Sequence, residues 1–588
     1  MDDRVRLKLT GPELDAAAAL AAFDPQLAKS YHPALERARE IGLRKFRDAL
    51  TREGIIGNSA SLEGRRSPTH LDDIGALRPP QVHPDRWLRL LDEIASSIAI
   101  HALGLIAEVR RRERLAASAL PVDGGNALRW ASRIAAVDAG FSPLAVFEQA
   151  VVDGHPLHPC ARIRSGMTMD ELFAYTPEWV DDLNVGVIAI ARPWIVDHGL
   201  TDLLIDTHPE MARAAARYLR GEGLVPADFA LLPIHPWQLR HKVADRGAEA
   251  EAGRIIILPD AKIPARPLLS VRTLAPTRSR RAPHIKTALD VQLTGALRIV
   301  SPAAVHNAPR MSRLLAEISK RERAFGGRFA MLGELASARY RPAAGEPAAR
   351  AGSLGAILRE SPERHAGRGE VTLPVAALAA RSPLSGQPLM IDVVEELAAG
   401  RRIPVREAAH SFLEEYCRLA LPPLLTLLSR WGVAPEAHGQ NTLVVLKGGV
   451  PVRLLFRDLA SIRVSPIRLA RCGIRLPELA GSLSVPDDEL RRRIFAPLFV
   501  TNLSEVVSAL ASATGGDAGD LWSLVARGCR AVYLRLSADA SIRTQAAPDE
   551  AALFEPTLPV KAMLAMRLAD DSRLDRWATT RNPLAEHR

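Results

Sequence analysis

The chain has 588 residues, 47% of them hydrophobic and 24% charged, which is too long for one hydrophobic core and too apolar for disorder. Lys plus Arg total 77 against 67 for Asp plus Glu, a net charge of +10, yet aromatics are only 5% and no basic block is interleaved with them. Nucleic-acid binding is therefore not expected, and basic residues lining an anion-binding cleft account for the excess equally well.

Cys160, Cys417, Cys472 and Cys529 are far apart and form no C-x-x-C pair. That argues against a disulfide framework, a zinc site or an iron–sulfur cluster, and fits a reducing cytoplasm. The opening Met-Asp-Asp-Arg lacks the order of a signal peptide. The apolar run 185–191 stops at Arg192 and the run 98–107 is broken by His101, so no membrane-spanning segment is expected.

Helical spacing of Ala, Leu, Arg and Glu predicts helices over 14–23, 33–50, 84–114 and 127–139, a supporting helical domain to about residue 146. Two His-Pro dipeptides follow, at His155 and His158, with Arg162 and Arg164 just beyond. Proline holds the residue before it extended, so both imidazoles are rigidly presented, either to an anion or within a structural turn. The His-Pro theme recurs at His235, and 255–258 reads as a buried strand.

The stretch 267–273 reads as extended, with Ser270 and Arg272 on one face. Even spacing from Lys286 to Thr294 predicts that both lie on one face of a strand, with Arg298 past a bend at Gly295. Arg272, Lys286 and Arg298 then form either three separate surface charges or one patch that needs an anion such as a triphosphate. Residues 339–354 read as an exposed loop, and 354–360 as a short ordered element. From about residue 386 helices return, over 389–399, 405–420, 487–511 with a kink at Pro497, and 521–536. Lys561 follows a proline at a predicted helix start, where a cation opposes the helix dipole and suggests an anionic partner.

Between these helices, a polar loop at 435–441 feeds a predicted strand at 442–446, a Gly448-Gly449 turn and a second strand at 452–456 that ends in Arg457-Asp458. A hairpin brings its open ends together, which places His438, Gln440 and Asn441 near Asp458. Amide oxygens with a carboxylate suit Mg²⁺ that also holds nucleotide phosphates, against the plainer reading of a polar hairpin end. There is no G-x-x-x-x-G-K-[ST], no dinucleotide G-x-G-x-x-G and no H-E-x-x-H, so cationic side chains must hold any phosphates.

Taken together, G-H-P-L-H-P-C-A-R-I-R-S-G at 154–166, L-P-I-H-P-W-Q at 232–238, S-V-R-T at 270–273, K-T-A-L-D-V-Q-L-T-G-A-L-R at 286–298, E-A-H-G-Q-N at 436–441 and R-D at 457–458 keep a known order. The chain resembles the NRPS-independent siderophore (NIS) synthetases, the IucA/IucC family. The resemblance implies an α+β multidomain, cupped-hand fold. Its parts are a helical thumb (1–146), a central antiparallel-sheet fingers domain (147–385) and a helix-rich palm (386–588). It implies adenylation of a carboxylate such as citrate, then condensation with an amine or hydroxyl. Ser270, Arg272, Thr273, Lys286, Arg298, His438, Asn441 and Asp458 would hold ATP, with Glu436 nearby. Asp458, Asn441 and Gln440 would carry Mg²⁺. The carboxylate would meet His155 or His158, Thr294, Arg298 and Lys561. Arg162 stands where the family pattern has Lys, and the change alters anion geometry. Catalytic roles would fall to His155, His158, Arg298, His438 and Lys561, in a cytoplasmic homodimer.

Two other classes share features with this chain. Small-molecule kinases place a carboxylate where Gln440 stands, to accept a proton. Ferric-siderophore reductases need clustered cysteines. A non-catalytic ATP-binding subunit is a third possibility.

Overall fold

The computed structural model describes residues 9–56, 78–346, 349–569 and 575–587. It mixes helix and sheet, 53% and 18%. The predicted N-terminal helices are present as Gly11–Phe23, Tyr31–Arg52 and Pro84–Ala116. The first begins where Glu13 reaches back to accept from the Thr10 backbone N–H at 2.8 Å. Proline opens the third, and the His83 ring accepts from Asp85 N. Their shared core around Phe46, Trp87 and Ile98 also takes in Cys160 and Ile163 from the His-Pro segment, and Leu564.

An eight-stranded antiparallel sheet fills the middle of the molecule, in the order Ile195–His198, Glu334–Tyr340, Gly355–Arg359, His284–Thr287, Thr273–Pro276, Ile255–Pro267, Leu183–Ala191, Phe229–Ile234. Glu334–Tyr340 corrects the loop expected from residue 339: the strand carries the chain to Tyr340 before the loop begins. The third core gathers the helices Leu389–Arg401, Val405–Thr426 and Ala518–Ala538. It also recruits helix Ala127–Val137, whose start is held by Asp392, and the far end of helix Pro302–Arg321. The cores therefore do not map onto consecutive thirds of the chain.

The predicted hairpin is present as Thr442–Lys447 and Val450–Phe456, inside a four-stranded sheet that adds Phe329–Met331 and Glu370–Pro374. Its turn needs glycine at Gly449, where φ is 75° and a Cβ would lie 2.4 Å from Val393 O. The kink expected at Pro497 is a π-helical segment, Ala496–Leu503, between two α-helical ones.

Two helical stretches, within Pro84–Ala116 and Asp487–Thr514, contain 18-residue windows of mean hydropathy 1.6, apolar enough to cross a membrane, contrary to the expectation that none exists. The windows are 72% and 67% buried inside the protein, as core helices are.

Candidate active site

A cavity of about 600 Å³ opens between the His-Pro segment, residues 269–273 and the open end of the hairpin. Nine Lys and Arg side chains and three carboxylates line it among the described residues, so it favours anions. Every predicted site residue reaches its wall except His158, which is 3% exposed and packed behind it. His155 is therefore the cavity-facing member of the His-Pro pair.

Three short pieces of backbone deliver the cations. The Leu268–Thr273 segment is a tight turn and not the extended run expected: Val271 N donates to Leu268 O at 2.7 Å, and Leu268 N to Thr273 O at 2.9 Å. Lys286 lies on the eight-stranded sheet, whereas Thr294 sits in the turn of a separate three-stranded sheet. The two are therefore not on one strand face; the strand breaks at Ala288 and a new one begins at Leu289. That small sheet pairs Arg164 with Leu293, which brings Arg164, Thr294 and Arg298 together. Arg298 donates to Thr294 Oγ1 at 2.8 Å, and Arg272 donates to the carbonyls of Arg298 and Ile299.

Backbone strain concentrates here. Four non-glycine residues have positive φ among the described residues, and three of them, Val271 (64°), Thr294 (57°) and Asp458 (76°), carry or flank site groups. Each costs on the order of 1–3 kcal/mol and persists because its surroundings over-determine it. Val271 is locked in an apolar cluster with Trp237 and Leu289.

The hairpin end meets this surface. Lys286 Nζ donates to Asp458 Oδ1 at 2.9 Å, and Arg359 lies 3.7 Å from Oδ2. Glu334, 1% exposed, sits behind both cations, 3.2 Å from Arg359 and 3.8 Å from Lys286. Burial opposes ionisation of Asp458, but Lys286, Arg359 and Arg272 hold its carboxyl far below the usual carboxylate range. Burial lowers the pKa of Arg272 to about 10 and that of Lys286 by an amount that Asp458 and Glu334 oppose.

A strut unseen in the sequence joins the two halves. Glu148 ends helix Pro143–Gln149, fully buried, and accepts from Leu269 N at 2.9 Å and from Arg457 at 2.5 Å. Arg457 in turn donates to Gln440 O, which ties down the loop that carries His438.

The histidines share one device. The Nδ1 atoms of His155, His158, His235 and His438 each accept from the backbone N–H two residues on, at 3.2, 3.0, 3.2 and 3.2 Å. That bond assigns the proton of the neutral ring to Nε2. Burial keeps the rings neutral: it pushes His155 well below the ordinary value and His158 to about 3, and it lowers His438. His155 and His438 thus offer an uncharged Nε2–H donor.

Two predicted cations are already paired. Arg162 forms a buried ion pair with Glu178, and Lys561 lies 3.0 Å from Asp575. Lys561 also ends strand Thr557–Lys561, not the helix start expected. Arg164 instead lines the cavity, donates to Ile163 O, and has no ion-pair partner among the described residues. Burial lowers its pKa to about 9, with Arg162 adding to the shift. The even spacing of Arg162 and Arg164 hinted at it; only Glu178, remote in sequence, shows which of the two is free.

Gln440, Asn441, Glu436 and Asp458, all with hard oxygen atoms, line the cavity. No three His, Cys, Asp or Glu side chains cluster to hold a metal by themselves among the described residues. This donor set fits Mg²⁺ completed by water and phosphate oxygens.

Residues 143–380 match the IucA / IucC family model, and residues 410–576 match a model described as ferric iron reductase FhuF-like transporter. The chain is 28% identical to staphyloferrin A synthase of Staphylococcus aureus over 54% of this chain and 52% of that one. It is 24% identical to D-ornithine–citrate ligase of the same species over 74% and 69%. The match thus spans about half of one relative and about two thirds of the other. Among solved structures it resembles the petrobactin biosynthesis protein AsbB from Bacillus anthracis, with TM-score 0.75 and 18% identity over 98% and 99% of the two chains. ATP-bound aerobactin synthetase IucA from Klebsiella pneumoniae gives TM-score 0.69 and 23% identity over 87% and 85%. By its ordered motifs and these matches, residues 143–380 of the chain form an IucA / IucC family region, and its fold is that of the siderophore synthetases it resembles.

Proposed function

We propose that the chain is an ATP-dependent siderophore synthetase that activates citrate or a citrate derivative as an acyl-adenylate and condenses it with an amine or hydroxyl. The supporting observation is that Lys286 and Arg298 share one cavity with Asp458, which is far from both in sequence. The names of the relatives, a synthase of staphyloferrin A and a ligase of D-ornithine and citrate, favour the same chemistry. In this reading the chain divides near residues 146 and 385 into a thumb, fingers and palm, with helices Ala127–Val137 and Pro302–Arg321 packing across those divisions onto the palm core. The protein works as a cytoplasmic homodimer without nucleic acid or membrane.

ATP lies between the Leu268–Thr273 turn and the hairpin end. Ser270, Arg272, Thr273 and Lys286 hold its phosphates, and His438 and Asn441 face it from the other side. Asp458, Asn441 and Gln440, beside Glu436, would hold Mg²⁺, which would supply charge neutralisation at the phosphates. Binding exchanges the Lys286–Asp458 pair for contacts with phosphate and metal, so the empty site keeps both charges compensated.

The carboxylate substrate sits at the other end, against Arg164, Thr294, Arg298 and the Nε2–H of His155, with Lys561 at the rim. One carboxylate oxygen attacks the α-phosphorus and pyrophosphate leaves. Arg298, fixed by Thr294, faces the charge that builds on the α-phosphate. The nucleophile then forms a bond to the activated carbonyl carbon, and the bond to AMP breaks.

A reductase reading of the 410–576 match needs reactive thiolates. Burial instead pushes the Cys417 thiol up to about 12 and Cys529 well above its ordinary value, and raises Cys472. A kinase reading needs a proton-accepting carboxylate where the amide Gln440 stands. ATP–pyrophosphate exchange over a panel of carboxylates tests the proposal. Citrate-dependent exchange is expected; substrate-dependent ADP release without exchange overturns it.

A further inference from the structure

A second cavity, of about 540 Å³, adjoins the first and shares Pro156, Leu157 and Glu505 with it. Glu505 stands at the junction. It follows the π-helical segment at Pro497, on helix Ser504–Thr514. Its carboxylate abuts the hairpin loop: Oε2 is 3.1 Å from where a Cβ on Gly439 would begin.

Three observations set Glu505 apart from the other cavity carboxylates. First, Asp458 is held by Lys286 and Glu436 has Arg298 and Arg463 in its field, whereas Glu505 makes no hydrogen bond or ion pair among the described residues and has Lys45 alone as a neighbouring cation. Second, its electrostatic surroundings are poor in cations: Lys45 favours its charge, but Asp153 opposes it and burial pushes its carboxyl up to about 7. Lys45 itself is engaged by the carbonyls of Asp153 and His155. Third, the second cavity is not another anion site. Ser504, Ser508 and Ser512, four residues apart on one helix face, supply hydroxyls, and its two arginines already have carboxylates beside them, Arg52 near Glu53 and Arg581 against Glu586.

A carboxylate without an ion-pair partner in a confined space repels ATP and the carboxylate substrate and attracts a cation. We infer that the second cavity is the entry and binding site of the nucleophile, that the nucleophile is an aliphatic primary amine and not an alcohol, and that Glu505 holds its ammonium group beside the reacting carbonyl and accepts the proton that must leave before the neutral amine forms the C–N bond and the bond to AMP breaks. The anionic substrates then occupy the basic end of the main cavity and the cationic one its acidic end, so the three do not compete for one set of contacts. This inference rests on the synthetase reading above.

The test separates the two. Wild-type protein and Glu505→Gln are assayed for citrate-dependent ATP–pyrophosphate exchange, which needs no nucleophile. They are then assayed for amide or ester formation from 1,4-diaminobutane, ethanolamine and ornithine, with 1,4-butanediol as the alcohol. Hydroxylamine, small and uncharged at pH 7, serves as a nucleophile that needs no ammonium site. Amides are expected, with the amine KM raised about tenfold or more in Glu505→Gln, as for loss of a charged hydrogen bond. Exchange and hydroxylamine trapping should persist in that variant. A Ser508→Leu variant, which narrows the second cavity, should raise KM for the longer amines and leave hydroxylamine trapping intact. Ester formation without amide, an unchanged amine KM, or loss of exchange in Glu505→Gln overturns the inference. Absence of exchange in the wild type with every carboxylate overturns the synthetase reading instead.

Discussion

Glu148 is the sharpest test of how the site is held together. Its side chain is 0% exposed and that of its partner Arg457 is 5% exposed, so both charges are largely shielded from water. Glu148→Ala leaves the Arg457 guanidinium buried against a single neutral acceptor, Gln440 O, a change that costs about 3–5 kcal/mol. It also orphans Leu269 N, worth about 1–3 kcal/mol more where the group stays dry. Arg457→Met alone leaves Glu148 as the uncompensated charge, at a similar cost. In the double variant no buried charge remains, so its loss should fall short of the sum of the singles by about 2 kcal/mol or more. Urea unfolding followed by tryptophan fluorescence measures the three losses. Because the same carboxylate pins both the turn beneath Ser270 and the loop carrying His438, the KM for ATP should rise in both single variants. Additivity within about 0.5 kcal/mol would refute the strut.

Arg298→Ala and His438→Ala should each abolish ATP–pyrophosphate exchange while circular dichroism stays unchanged; near-normal exchange in either rejects their placement. Arg164→Met should raise the KM for the carboxylate about tenfold with little loss of stability, because no partner is stranded. Arg162→Met, which strands buried Glu178, should cost about 3–5 kcal/mol in urea unfolding, and the reverse pattern would return the substrate role to Arg162. His235 is fully buried outside the main cavity, with burial lowering its pKa to about 3 and its Nε2 unpartnered. The unfolded chain binds that proton near pH 6.5 and the folded chain does not, so stability is full above about 6.5 and falls as pH drops toward 3. His235→Asn should flatten the stability–pH curve over that window by about one proton, and an unchanged slope would show that the ring is protonated in the native state.

The helices, the strand at 255–258 and the hairpin were legible in the sequence because each is fixed by local rules: apolar spacing, capping groups, and glycines at a turn that demands positive φ. The identity of the cavity residues was legible for the same reason, since most are carried on short ordered motifs. What the sequence misassigned lies where backbone strain overrides local preference. A β-branched valine at φ 64° converts the stretch before Thr273 from strand to turn, and the break after Thr287 separates Lys286 from Thr294. Charge compensation was decided by tertiary structure alone. Nothing near Arg162 in the sequence announces Glu178, nothing near Arg457 announces Glu148, and Glu505 becomes notable only because it makes no ion pair among the described residues. Pairing is a property of three-dimensional distance, so the same arginine or glutamate is a structural brace or a binding group according to what packs beside it.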